Sequence, residues 1–505
     1  MRRCVWVVVA MLTLAVSPLP GLAQEKGDEG VTITVCWASW PPAELLETLS
    51  KDFTKSTGIK VKGLFVPWGD FQAKVQTEMQ ARDRCTLDLV VLDSQWLGWM
   101  VEGDHMVELT DWLKNKSNID LKDYYEATLK AYGEYPPGSG HMYAITCEQD
   151  LEGLVYRKDL FEDPKEKAKF KEKYGYELGV PETWAQLRDI AEFFYRPDEN
   201  LYGLATKWSR DYDVVTWDFA QVLWAYGGDF WDPKTMKVGG IINSPASVKA
   251  LTFYRDLSKF AAPGAANFSF DQVNVEMQQG RTAMAIQWFA FFPGFVDPEA
   301  SKTWDKVGFA AVPKGPNGRF VSLGGQGIGV TKYSKHRDAA LKFIDWFQSE
   351  QTQWKWARGG GLTGRKSIVN DPKFFEFFPF NKAFRDSLPY AKDIWNIPEY
   401  AKLLDVTQEN LNKVITGELE PKEALDVIAE RHEKILASAK KPEPEPAPAP
   451  TTTGKPRPKA LSDNPVKEEA RKSMLLPVVL LIAGVGFVIL LYILSGKKAR
   501  PEGGS

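Results

Sequence analysis

The stretch LDLVVLDSQWLGW, residues 87–99, decides how the chain is read. Its first half, Leu87-Asp88-Leu89-Val90-Val91-Leu92, is a nearly unbroken apolar run rich in β-branched residues, the pattern of a strand buried on both faces of a parallel sheet. Asp93, Ser94, Gln95 and Trp96 follow with no turn filler. That spacing predicts that they sit at the carboxyl end of a central strand, where open α/β sheets gather ligands. A carboxylate, an amide, a hydroxyl and an indole on one rim suit a neutral polyhydroxylated ligand, giving acceptors for paired hydroxyls and a flat apolar face for a ring. A surface aspartate capping the next helix and a tryptophan in the core would leave the same letters.

Outward from this strand the chain alternates strands and helices. Residues 31–35 read as a strand and 43–57 as a helix with Leu45, Leu46, Leu49 and Phe53 on one face, closed by Gly58. Residues 59–66 return as a strand and 70–82 as a helix, the opening of a right-handed doubly wound sheet. Thr183-Trp184-Ala185-Gln186 is a capping box, and Ser244-Pro245 starts a helix carrying Val248, Leu251, Phe253 and Leu257. Residues 308–312 and 327–331 are strand-like, 337–348 is an amphipathic helix, and the carboxyl-terminal third is helical to 421–437. No repeat of fixed period is present.

At 505 residues the chain can bury two or more lobes. A formal charge of -3 and short, interrupted Lys/Arg clusters give no basic stripe, so no nucleic-acid partner is expected. Arg2-Arg3, the apolar run 5–16 and Gly21-Leu22-Ala23 have the layout of a secretory signal peptide over 1–23. No Cys follows that site. At the other end, 474–494 has no charge, and 21 residues at a helical rise span about 31 Å, a bilayer core. Lys497, Lys498 and Arg500 follow it, leaving 495–505 as a cytoplasmic tail. Residues 439–473 are a Pro-rich charged stalk. The chain is therefore expected to be exported and anchored to the outer face of the cytoplasmic membrane by one carboxyl-terminal transmembrane helix. Cys36, Cys85 and Cys147 are an odd set, open to one disulfide or to buried free thiols.

Eight blocks in order carry a resemblance: Gly58-Ile59-Lys60-Val61; Leu89-Val90-Val91-Leu92-Asp93 with Trp96; Tyr156-Arg157-Lys158-Asp159-Leu160-Phe161; Pro181-Glu182-Thr183-Trp184; Tyr226-Gly227-Gly228; Gly280-Arg281-Thr282-Ala283-Met284 with Trp288; Leu323-Gly324-Gly325-Gln326-Gly327; and Gly359-Gly360-Gly361-Leu362-Thr363-Gly364-Arg365-Lys366. From 31 to about 437 the chain resembles the family 1 extracellular solute-binding proteins of ATP-binding-cassette importers, in their carbohydrate-binding branch. The resemblance implies an α/β fold of type II, with two lobes, each a doubly wound sheet flanked by helices, clamping a solute between them and presenting the closed form to permease subunits. It implies hinge crossings near Thr146, Ala290 and Gln351. The first lobe would then take 31–146 and 291–350, the second 147–290 and, as a helical remainder, 351–438.

Carried over position by position, the resemblance lines the cleft with Trp40, Asp93, Trp96, Asp150 at the hinge, Trp217, Asp218, Trp288, Gly325, Gln326 and Arg365. Core packing is the competing reading for each Trp, and Trp112, Trp184, Trp346, Trp354 and Trp356 are read as packing. Position 326 is Gln where many sugar-binding members carry an aromatic, and the arginine block reads Gly361-Leu362-Thr363-Gly364-Arg365 where Pro-Thr-Arg is usual. No cofactor and no metal site are expected: His105, His141, His336 and His432 are scattered, and 324–329 is not a nucleotide-binding glycine motif because position 330 is Val. Two other classes stay open. A tethered glycoside hydrolase needs two carboxylates across a sugar cleft, for which Asp93 and Asp150 could serve. A binding subunit could instead report to a membrane sensor.

Overall fold

The computed structural model describes residues 30–439. The expected signal peptide, nearly all of the stalk, and the apolar run at 474–494 lie outside the described residues. Among those described, no helix is long and apolar enough to cross a membrane. The strands are β1 (Thr32–Ala38), β2 (Lys60–Val66), β3 (Leu89–Asp93), β4 (Ile145–Glu148), β5 (Glu152–Arg157), β6 (Tyr202–Ala205), β7 (Thr282–Trp288), β8 (Val307–Ala311), β9 (Val321–Ser322), β10 (Gln326–Val330) and β11 (Ala391–Lys392). They form a five-stranded sheet in the order β2-β1-β3-β10-β4, a four-stranded sheet in the order β6-β7-β5-β8, and the small pair β11-β9. Each large sheet is the centre of one lobe.

The apolar run of the opening stretch becomes β3, buried along its whole length. It lies at the middle of the first sheet, parallel to β1 and antiparallel to β10. The preceding helix Pro41–Thr57 ends as its sequence predicts, at Gly58 with φ 78°, a left-handed turn that costs glycine little. The capping box of Thr183 and Gln186 opens the helix Trp184–Phe193.

The sheets are mixed where a doubly wound parallel arrangement was expected. In the first, β10 opposes its neighbours β3 and β4; in the second, β5 opposes β7 and β8. The reason is the path of the chain. A strand that arrives from the other lobe enters its sheet at the hinge end, whereas strands reached through a helix of their own lobe run toward it.

Sheet membership also moves two of the expected crossings. The piece 291–350 does not return whole to the first lobe: Val307–Ala311 pairs with β5 in the second sheet, so the return falls between β8 and β10 and not near Ala290. The third crossing lies beyond Gln351, because the helix Glu350–Arg358 packs on Pro41–Thr57 of the first lobe. Its Trp356 stacks on Trp37 with ring centroids 6.4 Å apart, an apolar pairing that holds the helix there. The helices Tyr400–Ile415 and Pro421–Ala439 pack on each other and on the second lobe.

The crossings are laced side by side. Gly324 N–H donates to the Asp150 carbonyl (3.0 Å), Gln149 N–H donates to the Leu362 carbonyl (2.8 Å), and Leu151 bridges Leu323. Cys36, Cys85 and Cys147 are buried and free, which settles the open alternative on their pairing.

Candidate functional site

A cavity of about 750 Å³ lies between the two lobes, at the strand ends nearest the hinge. Much of the wall follows from one local rule: side chains at or just past the end of a strand project into the gap beyond the sheet. Trp40 follows β1 as the residue before the helix Pro41–Thr57, Trp68 follows β2, Asp93 ends β3, and Trp288 ends β7. Gln326 opens β10. Opposite them stands the loop Asp211-Tyr212-Asp213, where Asp213 takes φ 58° to start the helix Val214–Ala225. A left-handed aspartate at a cleft is a strained position, held here by its N–H donating to Gln408 Oε1 (3.1 Å).

Seven of the ten expected residues line the cavity: Trp40, Asp93, Asp150, Trp217, Trp288, Gly325 and Gln326. Three are elsewhere, each for a physical reason. Trp96 is fully buried beneath the rim, its ring 5.0 Å from that of Phe71, and its indole N–H donates to the Tyr212 hydroxyl at 2.7 Å. It braces a cavity residue and does not reach the cavity. Asp218 is one position past Trp217 on a helix, a turn of about 100°, and so points into the second lobe. There it pairs with Lys207 Nζ at 2.7 Å. Arg365 is held by Asp123 (2.8 Å) and by the Gln348 carbonyl (2.8 Å), away from the cleft.

The cavity also takes residues that sequence reading passed over: Trp68, Tyr212, Asp213, Phe270 and Phe291. Trp68 was findable, since Pro67-Trp68-Gly69 follows β2 just as Trp40 follows β1. Asp213 and Phe270 stand at helix starts in the second lobe with no strand before them to point them out.

Aromatic contacts join the lobes. Trp68 of the first lobe lies 6.2 Å from Tyr212 and 6.3 Å from Phe270, and Trp40 lies 6.2 Å from Phe291. The Trp68 indole donates to Asp213 Oδ1 at 3.1 Å. Trp217 and Trp288 meet edge to face at 6.1 Å. Behind Trp288, Lys207 Nζ lies 5.6 Å from its ring centroid and pairs with Glu152 (2.9 Å) and Asp218 (2.7 Å), all three groups essentially without exposure.

The polar groups of the cleft are mostly acceptors. Gln326 donates through Nε2 to Asp93 Oδ1 at 2.8 Å, which leaves Asp93 Oδ2 and Gln326 Oε1 with no protein partner, on residues only 4% and 3% exposed. The Trp40 indole N–H is unpartnered as well. Burial pushes the Asp93 carboxyl up to about 7, with Asp393 adding to it and the Gln326 amide opposing. Burial pushes Asp150 up to about 8, against the N–H groups of Leu151 and Ala290. Asp213 is pushed up by burial and by the charge of Asp93. No Lys, Arg or His is among the described residues that line the cavity.

These shifts set a pH dependence. The folded protein holds protons on Asp93 and Asp150 that the unfolded chain releases near pH 4, so folding takes up protons and stability falls as pH rises toward about 8. His432, held down near 4 by burial, acts oppositely below its ordinary value of about 6.5. The clean window is therefore about pH 6.5 to 8. Melting temperature without added ligand should rise by several degrees as pH is lowered across it, and Asp93→Asn should shrink the rise to the share that Asp150 contributes. A curve that is level or climbs with pH would refute the assignment.

The model of the family described as bacterial extracellular solute-binding protein matches residues 38–354. A solute-binding protein of an ABC transporter from Agrobacterium radiobacter K84, solved in complex with ribitol, is 28% identical; the match covers 81% of this chain and 99% of that one, with a TM-score of 0.71. Maltose-bound T. maritima MalE3 is 25% identical over 80% of this chain and 100% of that one, with a TM-score of 0.70. Among curated relatives, a probable amino-acid ABC transporter periplasmic-binding protein of Sinorhizobium fredii is 23% identical over 350 residues, 66% of this chain and 73% of the relative. The match takes in β2 to β10 and every residue given above as lining the cleft, and the chain belongs to the bacterial extracellular solute-binding protein family.

Proposed function

We propose that this chain captures a sugar or related polyol between its lobes and delivers it to an ATP-binding-cassette permease. The observation that carries the reading is the wall pair: indole faces from both lobes around a 750 Å³ cavity whose buried Asp93 and Gln326 oxygens await donors. Hydroxyl groups supply those donors, and the ring faces supply apolar contact with sugar C–H bonds. The relatives solved with ribitol and with maltose are bound to ligands of this kind. A free α-amino acid fits less well, since its carboxylate finds no cation among the described lining residues. Trp40, Asp93, Asp150, Trp217, Trp288, Gly325 and Gln326 are the contacts we assign. Export by residues 1–23, with tethering through the stalk and the apolar run 474–494, would keep this body beside its permease at the outer face of the membrane.

A thermal-shift screen of the full chain against sugars and polyols tests the proposal, with recovered ligand analysed for cleavage. A ligand at a hundred times its dissociation constant stabilises by about 2.7 kcal/mol. At least one sugar or polyol should raise the melting temperature and be recovered intact, and Trp288→Ala should abolish the shift. Cleavage of the ligand would point to the hydrolase reading instead. Silence toward every sugar and polyol would overturn the sugar assignment.

A further inference from the structure

The cleft asks for donors and offers few. Five aspartates line it, Asp93, Asp150, Asp211, Asp213 and Asp271, with no cationic side chain among the described lining residues. Of its indole donors, those of Trp68 and Trp217 are already directed at Asp213, which leaves that of Trp40 without a partner. The two buried side-chain oxygens left without a partner, Asp93 Oδ2 and Gln326 Oε1, belong to the first lobe and stand on neighbouring strands in register, Gln326 opposite Asp93. A hydroxyl both donates and accepts, so a wholly neutral polyol would bring lone pairs that find few donors here. An ammonium group is three donors and no acceptor. The rings of Tyr212 and Phe270 stand with Asp213 on the second-lobe side, Trp68 meets them from the first lobe, and such faces attract a cation through their ring quadrupole.

From this donor deficit we propose that the solute is an aminated sugar or polyol, its protonated amine held at the mouth of β3 by Asp93 and Gln326 and balanced across the cleft by Asp213. This rests on the solute-binding reading above and narrows it to one chemical class. Asp93 is faced by the carboxyls of Asp213 and Asp393 and by the neutral hydroxyls of Tyr212 and Tyr400; among the described residues the cation acting on the cluster is Lys207, which pairs with Glu152 and Asp218 behind Trp288. An incoming ammonium would therefore displace protons from carboxyls that burial keeps high, so the affinity of a strongly basic amine such as glucamine, which stays charged throughout, should rise with pH from about 6 to 8.

The test compares matched pairs on the full chain by calorimetry: glucosamine with glucose and with N-acetylglucosamine, and glucamine with sorbitol. The expected result is that at least one amine binds tenfold or more tightly than its neutral partners, with an apparent enthalpy that changes with the ionisation enthalpy of the buffer as proton release requires, and that Asp93→Asn and Asp213→Asn each erase the preference while the folded circular-dichroism spectrum persists. Neutral members that bind as well as or better than their amines would overturn this inference and leave the solute-binding proposal standing. Binding to no member of either pair, alongside silence in the wider sugar and polyol screen, would overturn both.

Discussion

Lys207→Met should destabilise the protein by roughly 3–5 kcal/mol, the cost of leaving buried carboxylates without their cation. Lys207 has no exposure and pairs with Glu152 at 2.9 Å and Asp218 at 2.7 Å. Burial alone would lower its pKa, but the two carboxylates outweigh that and hold it above its ordinary value. Glu152 is pushed well up by burial and by Asp218, and the charge and hydrogen bond of Lys207 oppose that rise. Gln221 donates to the other Glu152 oxygen, and the Lys207 N–H and Thr206 hydroxyl both donate to Asp218, so no spare donor stands ready to replace the ammonium. The urea midpoint would fall steeply, and the triple variant Lys207→Met, Glu152→Gln, Asp218→Asn would recover most of the loss. A midpoint unchanged in Lys207→Met would show that the carboxylates are protonated pairs in no need of the cation. Because Lys207 also lies under the ring of Trp288, ligand affinity should drop in the same variant.

Gly325→Ala should have the largest effect on binding of any single methyl added at the cleft. Gly325 takes φ +77°, which an L side chain adopts at a cost of about 1–3 kcal/mol. The added Cβ would overlap the Glu148 carbonyl and stand 2.5 Å from the Asp150 backbone nitrogen, both on the neighbouring crossing. Both are backbone atoms that cannot swing aside, and the Tyr132 hydroxyl stands 2.9 Å from the same carbon. We expect at least a tenfold loss of ligand affinity together with a lower melting temperature. Gly138→Ala is the control, since Gly138 has φ +82° with nothing near the added carbon. It should show the conformational cost alone, about 1–2 kcal/mol at most, and bind ligand normally. Equal behaviour of the two variants would mean that the crossing has slack.

What could be read from the letters divides by how local the cause is. β3 and its rim residue Asp93 were legible because a doubly buried strand must be apolar, and Asp93 is the polar residue on which that run stops, at the cavity edge. The capping box at Thr183 and the stop at Gly58 were legible because each is settled within four residues. Trp96 was misassigned to the cleft although it is only three residues past Asp93: a single 3₁₀ turn, Ser94–Trp96, swings it under the rim to Tyr212, and the size of that swing is not a property of the residues themselves. Asp218 was misassigned for the complementary reason, because a helix separates neighbours that a motif lists side by side. Arg365 was claimed by Asp123, a partner 242 positions away that no local pattern announces. The antiparallel sense of β5 and β10 and the late returns of the chain depend on which lobe each segment leaves, which is topology rather than periodicity.

The laced crossings restrict how the halves of the molecule can move. Gly324 to Asp150, Gln149 to Leu362, and Leu151 to Leu323 tie the straps edge to edge, as a piano hinge is pinned along its length. A swing about the line of the pins bends every strap alike and leaves the pins intact, whereas a twist or a sideways slide would shear them in turn. A closure confined to that swing would be described by a single angle, and a partner would then need to read only the width of the opening.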